Sequence, residues 1–111
     1  MPKSVSADAL AKLLTTFQVV DVRRRPAFDV SPAMLPTATW RSPADVTQWQ
    51  AELDPARPVL VYCVHGHEVS QGCAETLQVT GFDASYLEGG FEQWVSESRT
   101  VAAKPDTRAL P

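Results

Sequence analysis

An unbroken apolar run near the middle of the chain is the feature that most constrains its fold. Residues 58–62 read Pro-Val-Leu-Val-Tyr, with no alternation between apolar and charged side chains. A strand covered on one face alternates, whereas a strand covered on both faces is apolar throughout, as in a parallel sheet between two layers of helices. The run therefore predicts a central, buried parallel strand.

Helical and strand-like segments alternate on both sides of this run. The helical patterns cover residues 6–17, a segment that starts at Ser42, residues 70–80 and residues 91–95, and the strand-like runs cover residues 18–22, 38–40 and 84–87. Residues 26–37 contain several prolines and are expected to form a loop. This alternation predicts an α/β domain with a mainly parallel sheet of about five short strands flanked by helices.

Length and composition limit the chain to one small domain. With 111 residues, of which 44% are apolar, it can fill one hydrophobic core but not two independent ones. The sequence becomes polar and rich in Ala and Pro from Glu97 onward. We therefore expect a folded domain at residues 1–97 and a flexible C-terminal tail at residues 98–111.

The charge pattern and the lack of targeting signals argue against several functional classes. The net charge is −3, and the run from Arg23 to Arg25 is too short to follow a phosphate backbone, so nucleic acid is not an expected partner. No signal-peptide pattern follows Met1, and no apolar stretch approaches the ~20 residues of a membrane span. We expect a cytoplasmic protein without a membrane partner, in which Cys63 and Cys73 are reduced thiols.

Cys63 directly follows the apolar run and is the main candidate for a catalytic residue. At the carboxyl end of a parallel strand it lies where ligands bind in open α/β sheets. The next helix offers unpaired N–H groups, and Gly66 allows the intervening loop to curl and turn further N–H groups inward. His65 and His67 can add positive charge or hydrogen bonds. These effects favour the thiolate, which is the nucleophilic form of cysteine. The predicted anion-binding loop consists of Val64, His65, Gly66, His67, Glu68, Val69 and Ser70.

Two other interpretations of Cys63 stay open at this point. A cysteine at a strand end is commonly a small buried apolar side chain, which is also what we expect of Cys73 on the following helix. Cys63, His65 and His67 are all possible metal ligands. Structural zinc sites normally draw four ligands from the protein, and the chain has no Cys-X-X-Cys pair to complete the set, so no metal is predicted.

Five short motifs occur in a fixed order between residues 5 and 96. They are Val19-Val20-Asp21-Val22-Arg23 with Phe28, Leu35-Pro36-Thr37-Ala38, Val59-Leu60-Val61-Tyr62-Cys63, Gly72-Cys73-Ala74 with Leu77, Gly81 and Phe82, and Leu87-Glu88-Gly89-Gly90-Phe91 with Trp94. As an ordered set they resemble the rhodanese superfamily, specifically its single-domain sulfurtransferases. The first motif is similar to the family's Asp-Val-Arg signature, the third to the strand that delivers its catalytic cysteine, and the last to its closing Gly-Gly and Trp motif.

The resemblance implies a sulfurtransferase that works through a persulfide on Cys63. Its thiolate would take a sulfane sulfur from a small anionic donor such as thiosulfate and pass it to a thiol or a cyanide-type acceptor, or to a protein sulfur acceptor. The resemblance implies no cofactor. The arginines from Arg23 to Arg25 and Arg41 can reach the substrate rim and attract an anionic donor from outside, and of these Arg23 and Arg41 are the candidate rim residues.

The loop departs from the sulfurtransferase pattern in its length. Counted back from Gly72, it is one residue longer than the family's usual loop, and the longer form is characteristic of the phosphatase and arsenate-reductase branch. That branch closes its loop with an arginine that clamps an oxyanion, whereas this chain has Val69 at the corresponding position. A phosphatase-like or arsenate-reductase-like cysteine enzyme is therefore the first alternative function. A non-catalytic rhodanese-like binding module is the second, disfavoured because Cys63 is present.

Overall fold

The computed structural model describes residues 3–104, which form seven strands and five α-helices. The strands are β1 (Lys3–Val5), β2 (Gln18–Asp21), β3 (Ala33–Met34), β4 (Thr39–Trp40), β5 (Val59–Tyr62), β6 (Ala84–Leu87) and β7 (Ala102–Ala103). The helices are α1 (Ala7–Lys12), α2 (Arg25–Val30), α3 (Val46–Trp49), α4 (Glu68–Val79) and α5 (Gly90–Ser96), and two 3₁₀ turns, Pro43–Asp45 and Gln50–Glu52, flank α3.

Five of these strands form one parallel sheet in the order β1-β6-β5-β2-β4. The apolar strand β5 is central, because it pairs with β2 on one side and with β6 on the other. The strands β3 and β7 form a separate antiparallel pair. The predicted α/β fold, with a parallel sheet of five short strands flanked by helices, is therefore confirmed.

The sheet separates two hydrophobic cores, which explains why β5 is apolar throughout. Val59 and Val61 point into a core that includes the buried faces of α3 and α4. Leu60 and Tyr62 point the other way, into a core that includes the buried faces of α1 and α5. All four residues are fully buried, so every position of the strand contributes to one of the two cores.

The expected loop at residues 26–37 is wrong in its first part, where the chain forms α2. Pro26 lies in the first turn of this helix, where the missing N–H group costs no intrahelical hydrogen bond. Phe28 anchors the helix, since it is fully buried and its ring stacks on Trp40 with the ring centroids 5.3 Å apart. A proline after a charged run therefore begins a helix here rather than ending regular structure.

Other helix boundaries shift by a few residues. Ser6 caps α1 as expected, with its hydroxyl accepting from the N–H of Ala9 at 3.1 Å, but the helix ends at Lys12 instead of continuing to residue 17. Helix α4 begins at Glu68, two residues before the predicted start. It ends as expected next to Gly81, whose φ of 101° suits a glycine.

The expected tail at residues 98–111 lies partly outside the described residues. Within the described part, Ala102–Ala103 pair with Ala33–Met34, and the Lys104 ammonium donates to the carbonyl of Phe28. The tail expectation for residues 105–111 stays a prediction. None of the helices formed by residues 3–104 is long and apolar enough to cross a membrane.

Candidate functional site

Cys63 lies at the carboxyl end of β5, at the base of a cavity of about 330 Å³. Its side chain is buried, with 6% of its surface exposed, and it forms part of the cavity lining. The residues that line the cavity are Arg23, Arg24, Ala27, Cys63, Val64, His65, His67, Glu68 and Val69. Most of the predicted loop is therefore brought together around the sulfur, whereas Gly66 and Ser70 lie buried beneath the lining.

Hydrogen bonds from the start of α5 hold the first half of the loop. The N–H groups of Phe91 and Glu92 donate to the carbonyls of Cys63 and Val64, both at 2.9 Å. These bonds join the first turn of α5 to the residues that follow β5, so α5 fixes the backbone conformation at the cysteine. The Gly89-Gly90 motif at the start of α5 thus contributes to the shape of the loop.

Two glycines allow this contact. A Cβ atom on Gly66, where φ is 74°, would lie 2.6 Å from the carbonyl oxygen of Leu87. A Cβ atom on Gly90, where φ is 60°, would lie 2.5 Å from the carbonyl oxygens of Cys63 and Val64. Both positions combine a left-handed backbone with close backbone contact, so any larger residue would displace the loop.

The second half of the loop is held by Gln71 on α4. Its side-chain amide donates to the carbonyl of Gly66 at 3.1 Å, and its backbone N–H donates to the carbonyl of His67 at 3.0 Å. Among residues 3–104, no hydrogen-bond acceptor is found for the backbone N–H groups of residues 64–70. Several carbonyls of the loop are thus bound while its N–H groups have no acceptor in the described part of the chain, which is the arrangement of an anion-binding nest.

Ser70 is the polar side chain in direct contact with the cysteine. It is fully buried in the first turn of α4, and the Cys63 Sγ donates to its Oγ at 3.1 Å. The Ser70 hydroxyl in turn lies 3.5 Å from the carbonyl of His67. A hydroxyl rotates freely about its C–O bond, so the same group can donate to a Cys63 thiolate.

The two histidines stand at the exposed mouth of the cavity. Their rings stack with the centroids 5.9 Å apart, and the Nδ1 atom of His65 lies 3.1 Å from the carboxylate of Glu92. Glu68 is also exposed, as expected for an acidic side chain beside an anion site. Within residues 3–104, no three His, Cys, Asp or Glu side chains are placed to hold a metal ion.

Arg23 reaches the cavity, but its charge is already compensated. Its guanidinium is almost completely buried and binds the Asp21 carboxylate at 2.7 Å. The Cζ atom of the same guanidinium lies 4.3 Å from the centroid of the Phe91 ring. The Tyr62 hydroxyl donates to the same carboxylate at 2.8 Å. Burial, together with the nearby Asp21 charge, raises the pKa of Tyr62 well above its usual value. Tyr62 is therefore a neutral hydrogen-bond donor to the ion pair of Arg23 and Asp21.

Arg41 does not reach the cavity. Its guanidinium binds Glu52 at 2.7 Å, and it lines two other surface depressions beside Trp49. Arg24, which is exposed and is not one of the two rim candidates, does line the cavity. The signal that could have found Arg24 is Pro26, because a proline marks the first turn of a helix and Arg24 is the residue just before that turn.

Cys73 lies on the buried face of α4, in the core that also contains Val59 and Val61. Burial raises the pKa of Cys73 to about 12, and the charge of Cys63 contributes a smaller part of this increase. The Cys73 thiol is directed toward the carbonyl of Pro43, at 3.8 Å. It is therefore a protonated core residue at neutral pH, in agreement with the expected packing role.

Comparisons with known proteins identify relatives of the whole domain. A family model described as rhodanese-like domain matches residues 6–97. The thiosulfate sulfurtransferase GlpE of Coxiella burnetii (strain RSA 331 / Henzerling II) is 35% identical over 86 residues, which are 77% of this chain and 78% of the relative.

Solved structures share the same fold. A rhodanese-related protein from Thermoplasma volcanium superposes with a TM-score of 0.82 at 22% identity, covering 92% of this chain and 99% of its own. A protein from Rhodopseudomonas palustris CGA009, described as a possible tyrosine phosphatase, has a TM-score of 0.77 at 18% identity, covering 90% of this chain and 84% of its own. At these identities the similarity concerns the fold alone.

Proposed function

Because the chain belongs to the rhodanese-like domain family, we propose that it is a sulfurtransferase that carries a sulfane sulfur on Cys63. The observation that supports this most is the loop of residues 63–70. It joins the buried Cys63 to the start of α4, and its backbone N–H groups at residues 64–70 have no acceptor in the described part of the chain. The relative from Coxiella burnetii, whose name states thiosulfate as its substrate, supports a thiosulfate-like donor.

In the first half-reaction the Cys63 thiolate attacks the outer sulfur of thiosulfate. A new S–S bond forms at Sγ, the S–S bond within thiosulfate breaks, and its electron pair leaves with sulfite. The charge stays on sulfur throughout, now at the outer atom of a Cys63 persulfide. The free N–H groups of residues 64–70 would stabilise this anion without reorganisation, as donors fixed in advance do for an oxyanion.

In the second half-reaction an acceptor attacks the outer sulfur of the persulfide. A thiolate acceptor becomes a persulfide, cyanide becomes thiocyanate, and the electron pair of the broken S–S bond returns to Cys63 as a thiolate. Ser70 supports both halves, because its hydroxyl lies 3.1 Å from Sγ and can donate to the sulfur whenever it carries negative charge.

The longer loop is the feature that favours the phosphatase-like alternative. A tetrahedral dianion needs a fixed cation as well as N–H donors, because burying unpaired charge is costly. In the phosphatase-like branch an arginine supplies this cation, and the corresponding position in the cavity wall is Val69 in this chain. The charge of Arg23 is already paired with Asp21. Sulfur transfer therefore remains the better supported function.

Side-by-side assays with thiosulfate and with an aryl phosphate test the proposal. Wild-type protein should transfer sulfur to cyanide and hydrolyse no phosphate, and Cys63→Ser should lose transfer by more than about 1000-fold. Cys73→Ser is the matched control and should keep most of the activity, since its thiol is protonated in the core. Phosphatase turnover without sulfur transfer would favour the alternative enzyme, and neither activity would favour a binding module.

A further inference from the structure

We propose that Arg24 is the residue that makes the Cys63 cavity select anionic substrates. Arg24 is exposed and stands, with Val69, on the wall between the Cys63 cavity and a second cavity that contains Cys73. Its backbone carbonyl accepts the first hydrogen bond of α2, from Phe28 at 3.0 Å, while its side chain takes no part in capping. The guanidinium is therefore available for a ligand.

Within residues 3–104, the charge of Arg24 has no partner of opposite sign. Arg23 is bound to Asp21, Arg25 to Asp29 and Arg41 to Glu52. For the Arg24 side chain, by contrast, no ion pair or hydrogen bond is found with any residue from 3 to 104. Of the two arginines that line the Cys63 cavity, Arg23 is paired with Asp21, whereas Arg24 has no charged partner in the part of the chain that the structure describes.

The loop itself supplies little positive charge. His65 faces the carboxylate of Glu92, and Glu68 adds a negative charge to the same lining. An arginine in a partly enclosed cleft raises the local concentration of anions, and its planar guanidinium matches two oxygens of a sulfonate group. Arg24 would bind the sulfonate end of a thiosulfate-like donor, while the loop N–H groups receive the sulfur that is transferred.

The substrate class in this inference rests on the proposed sulfur transfer, but the charge selection does not. Alkylation of Cys63 by iodoacetate and by iodoacetamide measures the charge selection directly, because iodoacetate is an anion and iodoacetamide is neutral. With each reagent the thiolate forms a bond to carbon and iodide leaves. Peptide mapping by mass spectrometry separates Cys63 from Cys73. The quantity to compare among variants is the ratio of the iodoacetate rate to the iodoacetamide rate.

We expect Arg24→Gln to lower this ratio by about fivefold, the size of one partly screened charge, with the iodoacetamide rate unchanged. Arg24→Lys should retain most of the ratio, and Glu68→Gln should raise it. Arg41→Gln is the matched control, since it removes the same charge at a place away from the cavity. An Arg24→Gln ratio equal to that of wild type, or a loss just as large in Arg41→Gln, would overturn the proposal.

Kinetics with thiosulfate then connect the charge to the donor. Arg24→Gln should raise the KM for thiosulfate about fivefold and change kcat by less than about twofold, because the contact is made to the part of the donor that does not react. A change in kcat with no change in KM would overturn this role. If wild-type protein transfers no sulfur while the alkylation ratio still depends on Arg24, the proposed function fails and the charge selection stands.

Discussion

The surroundings of Cys63 and of Cys73 differ although the two side chains are similarly buried, at 6% and 4% exposure. Cys73 points from the middle of α4 into a core of aliphatic side chains, and its pKa is raised to about 12. Cys63 precedes the same helix and contacts the hydroxyl of Ser70, and the N–H groups of the loop that follows it, residues 64–70, have no acceptor among residues 3–104. Burial alone therefore does not determine what a thiol can do; the polar groups that face it do.

The largest expected effect comes from removing the loop shape while leaving both cysteines in place. Gly66→Ala should lower sulfur transfer by more than about 100-fold and destabilise the protein by about 2–3 kcal/mol, since its Cβ would lie 2.6 Å from the Leu87 carbonyl oxygen and its φ is positive. Activity assays and urea unfolding measure the two effects.

Gly72→Ala is the matched control for that substitution. Gly72 lies within α4, and its Cβ would meet nothing within 4 Å. This change should leave activity intact and raise stability by up to about 1 kcal/mol, the difference in helix propensity between Ala and Gly. Equal losses in Gly66→Ala and Gly72→Ala would remove the special role assigned to the loop.

A second prediction compares the two thiols in one molecule. At pH 7, iodoacetamide should modify Cys63 at least about 100-fold faster than Cys73, because a thiol with a pKa near 12 has almost no thiolate there. As the pH rises toward 12, the Cys73 rate should increase about tenfold per unit. Peptide mapping of partly alkylated protein gives both rates, and similar rates at neutral pH would contradict the contrast.

A smaller effect is expected from the hydroxyl that touches the sulfur. Ser70→Ala should lower sulfur transfer and Cys63 alkylation by about tenfold each, because a charged sulfur loses one hydrogen bond, which is worth about 1.5 kcal/mol. Ser85→Ala, which alters another buried serine, provides the control. A Ser70→Ala protein with wild-type rates for both reactions would show that the backbone N–H groups suffice.

The sequence predicted the features that depend on local pattern. The apolar run at residues 58–62 indicated the central strand, and Cys63 followed from its position after that strand. Helix α2 is not predicted because the spaced prolines of residues 26–37 indicate a loop, although a proline in the first turn is compatible with a helix.

What the sequence could not supply is the pairing of side chains that lie far apart in the chain. Arg41 is a rim candidate by its charge, but its guanidinium binds Glu52, eleven positions away, and does not line the cavity. In the same way, the bonds from Phe91 and Glu92 to the cysteine loop join residues almost thirty positions apart. Such partners follow from the tertiary arrangement and have no local signature.

Thiosulfate labelled at one sulfur at a time gives the most direct test of the account. With the label on the outer sulfur, the account predicts that one labelled atom per chain is retained on the peptide that contains Cys63 and is released by cyanide as thiocyanate. With the label on the inner sulfur, all of it should leave as sulfite. Label from the outer sulfur on the Cys73 peptide, or on neither peptide, would contradict the claim that Cys63 carries the transferred sulfur.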